Sequence, residues 1–188
     1  MNAVQPGSPA RRRLVGVVAA AMGLTLALAG SGIVAGGQAD VAAVRRATLK
    51  YHDINAALAD GYVLFYECTE QPGVGTMGQH FVKLPLVVDE PGIDPLRPEV
   101  LVYAPKRNGE WKLVAVEYVT IAPIWEGAFG SATPRVLGQD LLFREEGNRY
   151  GLPDFWERHA WIWQGNPRGL FDDWNPSITC LGMGDNGG

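Results

Sequence analysis

Histidines, cysteines and clusters of basic residues are scarce in this chain of 188 residues. Its three histidines lie far apart in sequence, so neither an H-x-H nor an H-E-x-x-H metal signature occurs. The G-x-S-x-G motif of the α/β-hydrolase nucleophile is also absent. No contiguous catalytic motif identifies a function, and any functional site must be assembled from distant segments.

The N-terminal segment has the pattern of an export signal. Arg11–Arg13 precede an uncharged stretch from Leu14 to Gly37, and small residues then lead to Asp40. A basic start, an apolar run and a small-residue cleavage site are typical of a signal peptide. We therefore predict a signal peptide over residues 1–39 and a single domain over residues 40–188.

Export implies a secreted protein or one held in the cell envelope, with no membrane insertion after cleavage. The apolar stretch is long enough to span a bilayer, so an uncleaved N-terminal membrane anchor is the alternative. At the other end of the chain, a disordered tail is expected from about residue 182.

The charge balance argues against a nucleic-acid partner. Removing the three signal arginines leaves 13 basic residues against 20 acidic ones, a net charge of about −7. Such a chain repels phosphate backbones, and no basic stripe occurs in the sequence.

The only two cysteines are Cys68 and Cys180. Because exported proteins meet oxidising conditions, we predict a disulfide between them. A two-cysteine metal site or a catalytic thiol is the less favoured alternative.

Apolar periodicity predicts an α+β fold. Residues from Asp40 to about Asp60 have helical spacing, and Gly61 can end that helix. Asn108-Gly109 predicts a hairpin between two runs rich in Val, Leu and Tyr. The expected strands cover residues 62–68, 79–88, the two arms of the hairpin within 99–120, and 159–163.

We expect the N-terminal helix to pack on a mainly antiparallel sheet of about five strands. A long irregular segment, residues 121–149, precedes the last strand, and residues 153–158 are interpreted as a helical turn. A small β-barrel with a peripheral helix is the alternative architecture.

Three predicted strands carry a titratable side chain in phase with apolar neighbours. Strand side chains alternate between two faces, so Glu117 shares a face with Leu113 and Ala115. His80 and His159 lie in apolar rows of the same kind. A buried carboxylate needs a partner or a proton, so we expect the three strands to bring these groups together.

The predicted ligand pocket contains the three titratable residues and nearby large side chains: His80, Glu117, His159, Met77, Trp161 and Trp163. Two imidazoles and one carboxylate are a familiar ligand set for zinc or non-haem iron, with positions left for water or substrate. The same groups also suit metal-free acid–base catalysis, with a histidine as base. A purely structural polar network, or a solvated face, is the competing interpretation.

Other aromatic and acidic residues permit two interpretations. The tryptophans of the C-terminal half either fill the core or offer flat faces to a sugar or another small amphipathic ligand. Acidic pairs such as Asp172-Asp173 are interpreted as solvated surface.

Several short motifs follow one another along the chain: Met77-Gly78-x-His80, Asp94-Pro95, Glu117-Tyr118, His159-x-Trp161-x-Trp163, Asn166-Pro167-x-Gly169-x-Phe171, and Asn175-Pro176 before Cys180. Together, over about residues 51–180, they resemble a family of exported bacterial proteins of unknown function. The resemblance implies export and a single domain, and it implies no activity.

The sequence therefore predicts an exported protein that binds a small molecule or a metal ion. The alternative is a metal-assisted or acid–base hydrolase or oxygenase that uses the same pocket.

Overall fold

A computed structural model describes residues 1–2 and 32–181, with side chains described from residue 40 onward in the second range. Most of the predicted signal peptide, residues 1–39, and the predicted tail from residue 182 lie outside the described residues. Within the described part of the chain, no helix combines the length and the apolar character needed to cross a membrane.

Six strands form one curled antiparallel sheet. The strands of the described residues are β1 (Val63–Gln71), β2 (Gly75–Val82), β3 (Val100–Pro105), β4 (Trp111–Ile121), β5 (Arg135–Val136), β6 (Gln139–Asp140), β7 (Leu142–Arg144) and β8 (Phe155–Ala160). The order in the sheet is β1-β2-β3-β4-β8-β7, and β5 and β6 pair only with each other. Among the described residues β1 and β7 each have one sheet neighbour, so the sheet is open and not a closed barrel.

The helical elements are α1 (Gly32–Thr48), a 3-10 turn (Leu49–His52), α2 (Ile54–Ala59), α3 (Leu84–Val88) and α4 (Ala122–Phe129). The single helix predicted from Asp40 to Asp60 is therefore wrong in its bounds. Asp53 divides it, because its side chain accepts a hydrogen bond from the Asn55 amide and starts α2 as an N-cap. Asp40 lies inside α1 and not at its start.

Three further predicted elements differ from the structure. The strand expected over residues 79–88 ends at Val82, because Pro85 cannot donate to a sheet ladder and instead occupies the first turn of α3. Of the helical turn expected over residues 153–158, residues 155–158 belong to β8. The segment expected to be irregular contains α4 and three short strands.

Apolar side chains cover both faces of the sheet. One cluster contains Leu101, Val116 and Tyr118, and the other contains Val100 and Val119. The second face also carries Glu117, opposite Val100 in the β3–β4 ladder. The sheet therefore has one mainly apolar side and a second side on which buried titratable groups interrupt the apolar rows.

The alternation predicted for β4 is wrong at its start. Leu113 packs in the cluster of Val116, and Val114 packs in the cluster of Ala115. The β3–β4 register shifts between the pairs of Val102 and Tyr103, and such a bulge changes which face each residue occupies. Residues after the bulge, including Glu117, keep the predicted phase.

The predicted disulfide is present. Cys68 and Cys180 are joined with their Cα atoms 5.8 Å apart, across 112 residues of sequence. The bridge ties the edge strand β1 to the C-terminal segment. In the chain-entropy model, closing so long a loop stabilises the fold by about 4–5 kcal/mol.

Gly78 in β2 generates a stability prediction. Its φ is +91°, and a Cβ built there would lie 2.6 Å from Val102 Cγ1 and 3.2 Å from the Tyr103 carbonyl oxygen. We expect Gly78→Ala to lower the free energy of unfolding by about 2–4 kcal/mol, measured by urea denaturation. The matched control is Gly109→Ala in the β3–β4 turn, where φ is +80° and nothing lies within 4 Å. That control loses only the backbone preference, about 1–2 kcal/mol, and equal losses in both variants would show that the close approach is not a constraint.

Glu99, just before β3, generates a pH prediction. Its carboxylate accepts a hydrogen bond from the Val119 amide at 3.2 Å, and burial raises the pKa of Glu99 from 4.5 to about 8. Between those values the folded chain holds a proton that the unfolded chain has lost, so this group makes stability fall as pH rises. The slope approaches about 1.4 kcal/mol per pH unit. We expect Glu99→Gln to flatten the fall in unfolding free energy between pH 5 and pH 8, with exposed Glu126→Gln as the control. Parallel pH profiles for Glu99→Gln and the wild type would contradict the assignment.

Candidate functional site

His80, Glu117 and His159 meet on one face of the curled sheet. Glu117 on β4 is paired directly with His159 on β8, while His80 lies on β2. Because β2 and β8 are three strands apart, about 14 Å in a flat sheet, contact between the two rings depends on the curl. The three side chains are at most 5% exposed.

The distances within the cluster are short and consistent. His80 Nε2 lies 3.3 Å from His159 Nε2 and 3.5 Å from Glu117 Oε2. His159 Nδ1 lies 3.5 Å from Glu117 Oε1. One ligand atom from each of the three residues lies within 4.8 Å of the others.

Three charged residues that the sequence interpretation missed flank the cluster. Arg144 donates hydrogen bonds to Glu157 and, at 2.6 Å, to Asp173 Oδ2. Asp173 Oδ1 lies 3.9 Å from His159 Nδ1. The interpretation of Asp172-Asp173 as solvated surface is wrong for Asp173, which is mostly buried.

Glu157 was within reach of the sequence argument. It precedes His159 by two residues on β8, so the two side chains share a face. Interpreting residues 153–158 as a helical turn concealed this spacing. Arg144 and Asp173 offered no such signal, because they come from a three-residue strand and from a loop.

Burial fixes the protonation of the two rings and of Glu117. It lowers the pKa of His80 to about 3, and the neighbouring His159 adds to the effect. Burial also lowers the pKa of His159, although Glu157 opposes it. Burial raises the pKa of Glu117 well above its ordinary value, and the charge and hydrogen bond of Glu157 raise it further. At neutral pH both rings are uncharged, and burial favours the protonated form of Glu117.

Glu157 carries the negative charge of the carboxyl pair. Burial acts to raise its pKa, but the hydrogen bond with Glu117, together with His159 and Arg144, outweighs burial and lowers the pKa of Glu157. The contacts of Glu117 with the two imidazoles are therefore contacts between neutral groups and not ion pairs.

The cluster is incomplete as a hydrogen-bond network. Among the described residues, His80 Nδ1, His159 Nδ1 and Asp173 Oδ1 are buried without a hydrogen-bond partner. An unpaired buried polar atom costs about 1–3 kcal/mol. A ligand that forms hydrogen bonds with these atoms would remove part of that cost.

The spacing within the cluster fits a metal ion. Two ligand atoms bonded to one tetrahedral zinc ion at about 2.0–2.2 Å lie about 3.3–3.6 Å apart. The separations of His80 Nε2 from His159 Nε2 and from Glu117 Oε2, 3.3 and 3.5 Å, fall in that range. With His159 bound through Nε2, its Nδ1 faces Asp173, and a carboxylate in that position orients a ligating ring.

The cluster opens into an apolar cavity of about 50 Å³. His80, Glu117 and Glu157 form its polar end, and the other lining residues are Phe65, Val82, Leu84, Val87, Val100, Val119, Tyr150, Leu152 and Phe155. A polar cleft of about 470 Å³ adjoins it and shares Tyr150 and Glu157 as lining residues. Glu157 therefore faces both an apolar and a polar space.

None of the three large side chains predicted for the pocket lines the apolar cavity. Met77 lines the polar cleft, with its Sδ 3.6 Å from the Tyr150 hydroxyl. Trp161 stacks on the His159 ring with centroids 5.8 Å apart and forms a wall behind it.

The prediction for Trp163 is wrong. Its ring lies 4.3 Å from that of His52, and its Nε1 donates to Thr48 Oγ1, in the cluster on the opposite face. The Ile162 amide bonds to the Ala160 carbonyl in a tight turn, so strand alternation stops with β8.

The fold and the site define an antiparallel α+β protein with a buried two-histidine, one-carboxylate cluster. No protein-family model, curated protein or solved structure matches this chain. The functional argument therefore rests on the geometry and chemistry of the site.

In chelator-treated protein, we expect substitutions of Glu117 and of Glu157 to change stability by different amounts. Glutamine reproduces a protonated glutamate, so Glu117→Gln should change the free energy of unfolding at pH 7 by less than about 1 kcal/mol. Glu157→Gln removes the ionised partner of Arg144 and should cost about 1–3 kcal/mol. Urea denaturation of the two matched variants measures the difference. A larger loss in Glu117→Gln would mean that the proton resides on Glu157.

Proposed function

We propose that this protein binds a divalent metal ion through His80, Glu117 and His159, with zinc the best-fitting ion and iron(II) the second. The observation that carries the proposal is the 3.3 and 3.5 Å spacing of buried ligand atoms from three different strands. The two neutral rings are ready to ligate. Glu117 must release its proton, so binding is expected to strengthen with pH and to liberate a proton.

The charges around the cluster support a cation. Glu157 and Asp173 are the acidic neighbours, and Arg144 is the one basic side chain bonded to both among the described residues. A divalent ion adds positive charge where two carboxyl groups otherwise share a single cation.

A second candidate function is metal-assisted or acid–base hydrolysis or oxygenation at the same site. It is favoured by one observation: the hydrogen-bonded pair Glu117 and Glu157 lies at the end of a cavity, and Glu157 also faces the polar cleft. Substrate would reach the cluster from the cavity while protons exchange with the cleft through Glu157.

Export remains part of the proposal. The disulfide between Cys68 and Cys180 is consistent with an oxidising compartment. We propose a secreted or envelope location after cleavage at residue 39, an N-terminal anchor being the alternative. The resemblance to exported bacterial proteins of unknown function and the expectation of no nucleic-acid partner stay predictions.

Docking of the N-terminal helix on the sheet also stays a proposal. Two contacts support it: Arg45 Nε donates to the Ile162 carbonyl at 2.6 Å, and Trp163 Nε1 donates to Thr48 Oγ1 at 3.2 Å.

Metal binding is tested on oxidised protein that has been stripped with a chelator and then titrated with zinc or iron(II). We expect one equivalent to bind, and His80→Ala or His159→Ala to weaken affinity on the order of 100-fold. His52→Ala is the matched control, since His52 is the remaining histidine of the chain and lies outside the cluster. Asp173→Asn should weaken affinity about 10–100-fold through the orientation of His159.

Calorimetry and metal analysis give affinity and stoichiometry, and a pH indicator gives the released proton. If the wild type binds no metal while both cluster variants lose stability and His52→Ala does not, the cluster is a structural polar network.

A further inference from the structure

The cavity beside the cluster has the lining expected of a site for an aliphatic chain. Apart from the three titratable residues at its end, the side chains around it are aliphatic or aromatic, including Val87, Val100 and Val119. Apolar walls with a few convergent polar groups are typical of small-molecule sites. The volume of about 50 Å³ holds only a few heavy atoms, so the rest of a longer ligand would lie at the mouth.

The mouth exposes apolar side chains on both sides. Phe65 and Leu84 line the cavity and are 37% and 47% exposed. Val63, opposite Val82 in the ladder, and Val88, one helical turn after Leu84, are also exposed. Grouped exposed apolar residues around a cavity mark a ligand or interaction surface.

The polar end favours an uncharged hydrogen-bonding group. Glu157 is 3% exposed and paired with Arg144, so an anionic head group would be buried beside an existing ion pair without a counter-ion of its own. His80 Nδ1 is buried without a partner among the described residues. A hydroxyl group both donates and accepts hydrogen bonds, so it can bond to the carboxylate of Glu157 and to the imidazole of His80 at once.

We propose that the site takes a small amphiphile with a hydroxyl head, whose head contacts His80 and Glu157 and whose aliphatic chain leaves between Phe65 and Leu84. This inference goes beyond the proposed function, because the head group contacts His80 and Glu157 without requiring a bound metal ion. It names the chemical class of the ligand, which the metal proposal alone does not.

The test titrates oxidised, metal-free protein with the 1-alkanols from butanol to decanol, and with carboxylates of the same chain lengths, followed by calorimetry. Alkanol affinity should rise about fourfold per added methylene for the first few carbons and then level off once the chain leaves the mouth. Carboxylates of equal length should bind at least about tenfold more weakly, because Glu157 repels them. Affinity independent of chain length, or carboxylates that bind as well as alkanols, would overturn the proposal.

Two neighbouring residues on β1 give a matched pair of variants. Phe65→Ser removes an apolar residue of the mouth and should weaken octanol binding about tenfold or more. Leu64→Ser is the control, because Leu64 is 57% exposed and is paired with Phe81 of the other face. Equal octanol affinity in the two variants would also overturn the proposal.

Zinc titration of the same preparations separates this proposal from the proposed function. Phe65→Ser should bind zinc as the wild type does, since Phe65 is no ligand. Alkanol binding without zinc binding would refute the metal site and support the amphiphile, and the converse would refute the amphiphile alone.

Discussion

The burial of one carboxyl group beside two imidazoles, with no lysine or arginine paired to it among the described residues, governs the rest of this site. Glu117 is 4% exposed and lies directly opposite His159 in the β4–β8 ladder. Desolvation keeps both rings neutral and favours the protonated form of Glu117. The neighbouring Glu157 holds its charge only because Arg144 and the other members of the cluster offset its burial. Metal affinity, ligand charge and pH dependence all follow from this distribution of protons.

The C-terminal segment connects the disulfide to the site. Asn175 is fully buried and exchanges backbone hydrogen bonds with Thr76 of β2 at 3.0 and 3.1 Å. A side chain at Gly75 would collide with the Asn175 backbone at 2.7 Å, so glycine permits this close approach. Five residues later, Cys180 closes the bridge to β1. The segment held at these points carries Asp173, and the long loop closure therefore positions the carboxylate that faces His159.

The sequence was sufficient to predict the positions of those residues whose placement depends on strand alternation alone. His80, Glu117 and His159 converge because each lies in a regular part of its strand, where a period of two assigns the face. Where the backbone is irregular, strand alternation predicts the wrong face. The β3–β4 bulge exchanges the faces of Leu113 and Val114, and the turn at Ala160 places Trp163 on the other side of the sheet. Arg144 and Asp173 reach the cluster through tertiary packing, which no local pattern encodes. The α+β class and the antiparallel sheet needed only local signals, whereas the curl that closes the site is a property of the whole sheet.

A purely structural role for the cluster conflicts with the free energy that the cluster costs the folded state. Each unpaired buried polar atom costs about 1–3 kcal/mol, and three such atoms belong to residues His80, His159 and Asp173. Apolar side chains at the same positions would fill the space and leave no atom unpaired, so stability alone does not explain these residues. Of the three residues, His80 lines the adjoining cavity, so a ligand bound in the cavity can supply the hydrogen-bond partner that His80 Nδ1 lacks.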